Sequence, residues 1–176
     1  MNRSRKGRGL SGLLRRRDGA AAVEFAMVLP VLLLILFGTI ELGRLIHNYN
    51  VVAKGVRDAS RYLARVPSTT SCAGLTWSPD SITAVTETKN MATRGQLGGN
   101  DANNVLFNFT PTTVTVTTDC INNANGLAGI YGTATTIKRA IVQASVPHSF
   151  ILGDYVIPGL PTLTYTVVHR EPHIGD

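Results

Sequence analysis

Arg15-Arg16-Arg17-Asp18-Gly19-Ala20-Ala21-Ala22-Val23-Glu24-Phe25 runs straight into Ala26-Met27-Val28-Leu29-Pro30-Val31-Leu32-Leu33-Leu34-Ile35-Leu36-Phe37-Gly38-Thr39-Ile40. Three arginines stand at the mouth of an apolar run, and one carboxylate stands inside it. No side chain from Phe25 to Ile40 is charged, but about 16 residues are few for a bilayer. Counted from Ala20 with Glu24 tolerated, the run reaches about 21 residues, or roughly 31 Å of helix at 1.5 Å per residue. That length matches a hydrocarbon core. A charged side chain at such a depth costs roughly 2.5–3.5 kcal/mol on insertion scales, so Glu24 calls for a partner or a route to water.

Charge supports a membrane rather than a nucleic acid. The chain carries +6 overall, and residues 1–19 hold Arg3, Arg5, Lys6, Arg8, Arg15, Arg16 and Arg17 against Asp18 alone. The remainder is therefore neutral, and the excess sits where Lys and Arg hold a flank in the cytoplasm. A secretory signal also has a basic start, but it should end in a cleavage site and a change of texture. Here the apolar run passes instead through Glu41-Leu42-Gly43-Arg44 into a periodic helix. Leu42, Leu45, Tyr49, Val52, Val56, Ala59 and Leu63 recur at the three-and-four spacing of one helix face, with Ile46 and Ala53 beside them. Lys54, Arg57, Asp58, Arg61 and Arg65 mark a solvated opposite face. Pro67 closes the helix, so a rod of roughly 70 Å is expected from Ala20 to Val66.

The rest reads as α+β. Ser78-Pro79-Asp80 starts a second helix, Ile82, Val85 and Ala92 lie along one side of it, and Gly95 stops it. Three alternating runs follow: Thr113–Cys120 with Val114 and Val116 on one face, Ile137–Val146 with Ala140, Val142, Ala144 and Val146 inward, and Thr162–Arg170 with Leu163, Tyr165 and Val167 inward. The small Ala140 and Ala144 leave room for a helix to lie close on the sheet. Val105–Phe109 is expected as a short edge strand, and Asn122–Thr136, rich in Asn, Gly and Thr, as a loop. Cys72 and Cys120 both fall beyond the apolar run, opposite the basic flank. In that oxidising compartment an even pair usually bonds, two separate thiols being the alternative.

The string Gly19-Ala20-Ala21-Ala22-Val23-Glu24-Phe25 resembles the site cut by prepilin peptidases of Flp (tight-adherence) pilus systems. The stretch from Gly19 to Arg65 is similar to the TadE-like proteins, minor pilins or pseudopilins of that machinery. This resemblance implies cleavage between Gly19 and Ala20, after a basic leader at 1–19. It implies a transmembrane segment at 20–41, an extramembrane continuation of the helix at 42–66, and a small α+β periplasmic or extracellular domain at 67–176. The fold implied is a long pilin-like helix packed on a small antiparallel sheet with one additional helix. In filaments of this class the glutamate, here Glu24, meets the free amine of a neighbouring subunit, and Phe25 packs among neighbouring helices. The expected first mature residue, Ala20, departs from the phenylalanine common in type IV pilins. The partners implied are the membrane, a prepilin peptidase and other pilin or pseudopilin subunits, with no nucleic acid. The implied location is the bacterial inner membrane, single-pass with the N-terminus cytoplasmic and the C-terminal domain periplasmic or extracellular, and entry into the filament is left open.

No catalytic constellation is visible and no cofactor is expected. His47, His148, His169 and His173 are scattered, and His169 and His173 have no cysteine or acid at metal-ligand spacing. The expectation is a structural and assembly protein rather than an enzyme. The alternative is a permanently membrane-anchored extracytoplasmic binding or adhesion module.

Overall fold

A computed structural model of the chain describes residues 18–68, 72, 82–123, 132, 134–150, 159 and 162–174. Helix α1 (Asp18–Leu63) carries the apolar run and its periodic continuation without interruption. Helix α2 (Ile82–Arg94) follows, then strands β1 (Val114–Asn122), β2 (Thr136–His148) and β3 (Leu163–Pro172). The strands form one antiparallel sheet in the order β1-β2-β3. The expected α+β class and helix-on-sheet arrangement are observed. The chain divides into two units between Gly43 and Arg44, the first holding the apolar part of α1 and the second everything after it.

Within the second unit, the helix lies on the sheet because the facing positions are small. Register sets Val114 opposite Ala144 and Ala144 opposite Val167, with Val116–Val142 in the adjoining row. Val52, Val56 and Ala59 of α1 pack with these residues, with Val146, with Ala92 of α2 and with Phe109. Ala140 is covered by Leu63 and Ala64, just past the last turn of α1. Every inward position expected on β2 is buried. Alternation was legible there because one face alone is dry.

A close contact joins the two helices. A Cβ added at Gly55 would lie 2.2 Å from the carbonyl oxygen of Ala92 and 3.3 Å from the Phe109 ring. Only a residue without a side chain lets α1 approach α2 that closely. Tyr62 then donates a hydrogen bond to Glu87, a second tie from α1 to α2. Burial, followed by the Glu87 carboxylate, pushes the Tyr62 phenol up to about 12. On the outer sheet face, the Arg139 guanidinium donates to both Asp119 oxygens across β1 and β2. That hydrogen bonding holds the Asp119 carboxyl below its ordinary value against the opposing effect of burial.

Several expectations are corrected. The helix ends at Leu63 rather than Val66, because the chain tightens into a turn with Arg65 N–H donating to Tyr62 O and Val66 N–H to Leu63 O. The last carbonyls are met from the far end of the chain: Ile174 N–H donates to Ala64 O at 2.8 Å, and His173 Nε2 lies 2.8 Å from Val66 O. The buried stripe of α1 begins only at Val52, since Leu42, Ile46 and Tyr49 are exposed. Ile82 is 88% exposed, and the dry side of α2 is Ala84, Thr88, Ala92 and Thr93. The Thr88 and Thr93 hydroxyls donate to the carbonyls of Ala84 and Lys89, which makes them admissible in a core. Val105–Phe109 is not a strand: Val105 N–H closes onto Thr93 O, and Phe109 turns inward to full burial. Leu163 is exposed rather than inward-packed. Gly95, with φ of 70°, ends α2 as expected. The expected Ser78-Pro79-Asp80 start and most of the 122–136 loop lie outside the described residues.

Gly55→Leu should destabilise the second unit by about 1–3 kcal/mol through overpacking against Ala92 and Phe109. The neighbouring exposed Lys54→Ala should change it by less than about 0.5 kcal/mol. Pulse proteolysis of the full-length protein in urea measures both, and equal midpoints for the two variants would contradict the close approach.

Candidate functional site

From Gly19 to Ile40 every residue of α1 is exposed. Phe25 is 60% exposed, and Val31, Leu34, Ile35 and Leu36 are open as well. The same chain that buries Val52 and Val56 completely leaves its most apolar stretch without cover from its own side chains. The helix is long and apolar enough to cross a membrane, with a mean hydropathy of 2.5 in its most apolar window. This is consistent with single-pass anchoring.

Local chemistry suits lipid. Thr39 is the sole polar side chain from Phe25 to Ile40, and its hydroxyl donates to Ile35 O at 2.7 Å, so the helix itself satisfies it. Pro30 sits inside α1 and withholds one backbone donor, a defect that membrane helices tolerate better than soluble ones. Gly38 and Gly43 have no atom within 4 Å of an added Cβ.

The residues expected from the sequence to serve processing and assembly, Gly19, Ala20, Glu24 and Phe25, all fall on this segment. Gly19 and Ala20 occupy the first turn of α1, where backbone N–H groups lack helical partners and the chain opens at least cost. Glu24 follows Ala20 by four residues, so the two share one helix face about 6 Å apart along the axis. Phe25 is the next residue round. Residues 19–61 match the family model of the TadE-like proteins.

The match begins at the glycine of the motif and stops two residues short of the end of α1. It bears out the resemblance on that helix, and the sheet lies outside it. No curated protein and no solved structure matches the chain. Among the described residues, no three of His, Cys, Asp and Glu gather as a metal site requires. His169 instead meets Glu171 at 3.1 Å along β3, and His173 serves the end of α1.

Cys72 and Cys120 lie in the second unit, bonded sulfur to sulfur with Cα atoms 6.0 Å apart. Cys120 is buried on the inner face of β1, opposite Lys138. The bond ties the chain between α1 and α2 to the sheet. Gly55 and the tail contacts of His173 and Ile174 escaped the sequence reading. A glycine amid β-branched and charged helix residues was the one signal available for the first, and a long-range tail contact leaves no periodic trace.

Exchange of Cys72 and Cys120 for serine should cost about 4 kcal/mol on the chain-entropy model for a loop of this size. Non-reducing peptide mapping should recover one linked peptide carrying both cysteines. Two separate thiols in the native protein would contradict the bond.

Proposed function

We propose that this protein is a minor pilin or pseudopilin acting in assembly of a Flp (Tad) pilus, cut by a prepilin peptidase between Gly19 and Ala20. The observation that carries the reading is an uncovered apolar helix with Gly19, Glu24 and Phe25 in register at its start, inside the stretch that matches the TadE-like model. Its role is structural rather than enzymatic. The basic leader holds the N-terminus in the cytoplasm, residues 20–41 span the inner membrane, and the second unit lies on the far side.

The proposed chemistry follows from charge. Before processing, Glu24 is a lone acid among apolar neighbours. Hydrolysis of the Gly19–Ala20 peptide bond removes the arginine-rich leader and creates an amine on Ala20. That cation and the Glu24 carboxylate of an adjacent subunit then satisfy each other in the bilayer. A subunit that aligns by this pair brings its apolar face against its neighbour's, so the same contact sets register and covers the helix.

Gly19→Arg should block the peptidase and abolish a size shift of roughly 2 kDa, read by immunoblot of membranes from the host. Glu24→Ala should still be processed but should lower pilus yield or partner co-purification. Normal maturation of Gly19→Arg would remove the peptidase reading. Processing without any association with sheared filaments or their subunits would favour the anchored binding module.

A further inference from the structure

The second unit keeps an apolar surface open at one end. Ile46 and Tyr49 on α1 are 53% and 46% exposed, and Leu163 at the start of β3 is 44% exposed. Tyr49 meets Tyr165 with ring centroids 6.1 Å apart and planes tilted by 55°. Two further contacts show how the elements run. Tyr49–Tyr165 joins α1 and β3 at one end, while Ala64 and Ile174 join the same two stretches of chain at the other. The helix and the strand therefore run side by side in the same direction. Leu163 precedes Tyr165 by one strand repeat, and Ile46 precedes Tyr49 by about one helical turn. All four side chains gather at the end where the chain enters this unit.

Their chemistry is that of an interface between oil and water. Tyr49 presents an apolar ring with a polar tip, the arrangement concentrated where membrane proteins meet headgroups, and the half-buried Tyr165 backs it from the core. The flanking Ile46 and Leu163 extend the exposed apolar surface around that ring. Arg44 lies within one turn of Ile46, with Glu41 one turn before it, and Lys54, Arg57 and Asp58 follow farther along the helix. The apolar stretch ends at Ile40, only a few residues before Ile46, so the patch continues a lipid-facing stretch along the chain.

We propose that Ile46, Tyr49, Leu163 and Tyr165 bed the second unit into the headgroup layer of the bilayer that α1 crosses. This rests on the reading that residues 20–41 span the membrane. The patch would hold the domain down while the subunit waits in the membrane, and would be given up when the subunit leaves it.

The test uses the full-length protein in vesicles of phosphatidylethanolamine and phosphatidylglycerol. The single native tryptophan, Trp77, is first replaced by Phe. Tryptophan is then placed at Tyr49, at Leu163 or, as a gauge of the span, at the exposed Leu34. Lipids brominated near the headgroup end of the acyl chain should quench Tyr49→Trp and Leu163→Trp more than lipids brominated near its terminus. Leu34→Trp should show the opposite order. Unquenched emission from both domain sites with a quenched Leu34→Trp would overturn the docking and leave the span intact. Loss of quenching at all three would overturn the span and the docking with it. Shielding from aqueous iodide without bromolipid quenching, fading as protein is diluted in lipid, would assign the patch to a second copy and also overturn the proposal. Using sites on two elements guards against misfolding of one variant.

Discussion

Among the described residues, nothing covers residues 20–40, and that exposure is the constraint on which the functional reading depends. A soluble protein rarely leaves more than a few hundred Å² of contiguous apolar surface open. Here an entire helical stretch is exposed on all sides among the described residues, which is consistent with a segment that a membrane could cover. Thr39 already answers to this, turning its hydroxyl onto Ile35 O. Glu24 does not, for its carboxylate has no neighbouring cation within the run. The exposure and the lone charge together are what the proposed assembly role would have to satisfy.

The second unit is built so that α1 cannot leave without it. The helix enters the core through Val52, Val56 and Ala59, approaches α2 at Gly55, and is tied to Glu87 by Tyr62. Beyond Leu63 the tail residues His173 and Ile174 hold the carbonyls of Val66 and Ala64. Force applied along α1 therefore passes into the sheet through several independent contacts. The Cys72–Cys120 bond adds a covalent tie between the chain leading to α2 and β1. In a chain with 6% aromatic residues, such ties supplement a small apolar core.

Legibility followed burial geometry. β2 could be read residue by residue because Ala140, Val142, Ala144 and Val146 alternate against a dry helix. The helix is plain from its period, but the period alone cannot say where along that face burial starts: Leu42, Ile46 and Tyr49 share the face and stay exposed, and full burial begins at Val52. Val105–Phe109 looked like an edge strand because it is short and apolar; a turn onto Thr93 and the inward swing of Phe109 decided otherwise. Ile82 misled for a similar reason, since buried threonines bonded to their own helix took the place of larger residues on α2. The TadE-like resemblance was legible as a string, and the family model matches it over residues 19–61.

The central claim is that Glu24 is neutralised by a chain end that processing creates. It can be read chemically with dicyclohexylcarbodiimide, a membrane-permeant reagent that activates a carboxyl in lipid and joins it to an amine in contact. Membranes from the host, treated and digested, should yield an amide bond between the Ala20 amine of one subunit and the Glu24 side chain of another, detected by mass spectrometry with isotope-mixed protein. Recovery of Glu24 carrying only the reagent, on a chain that still begins with its arginine-rich leader, would contradict the account.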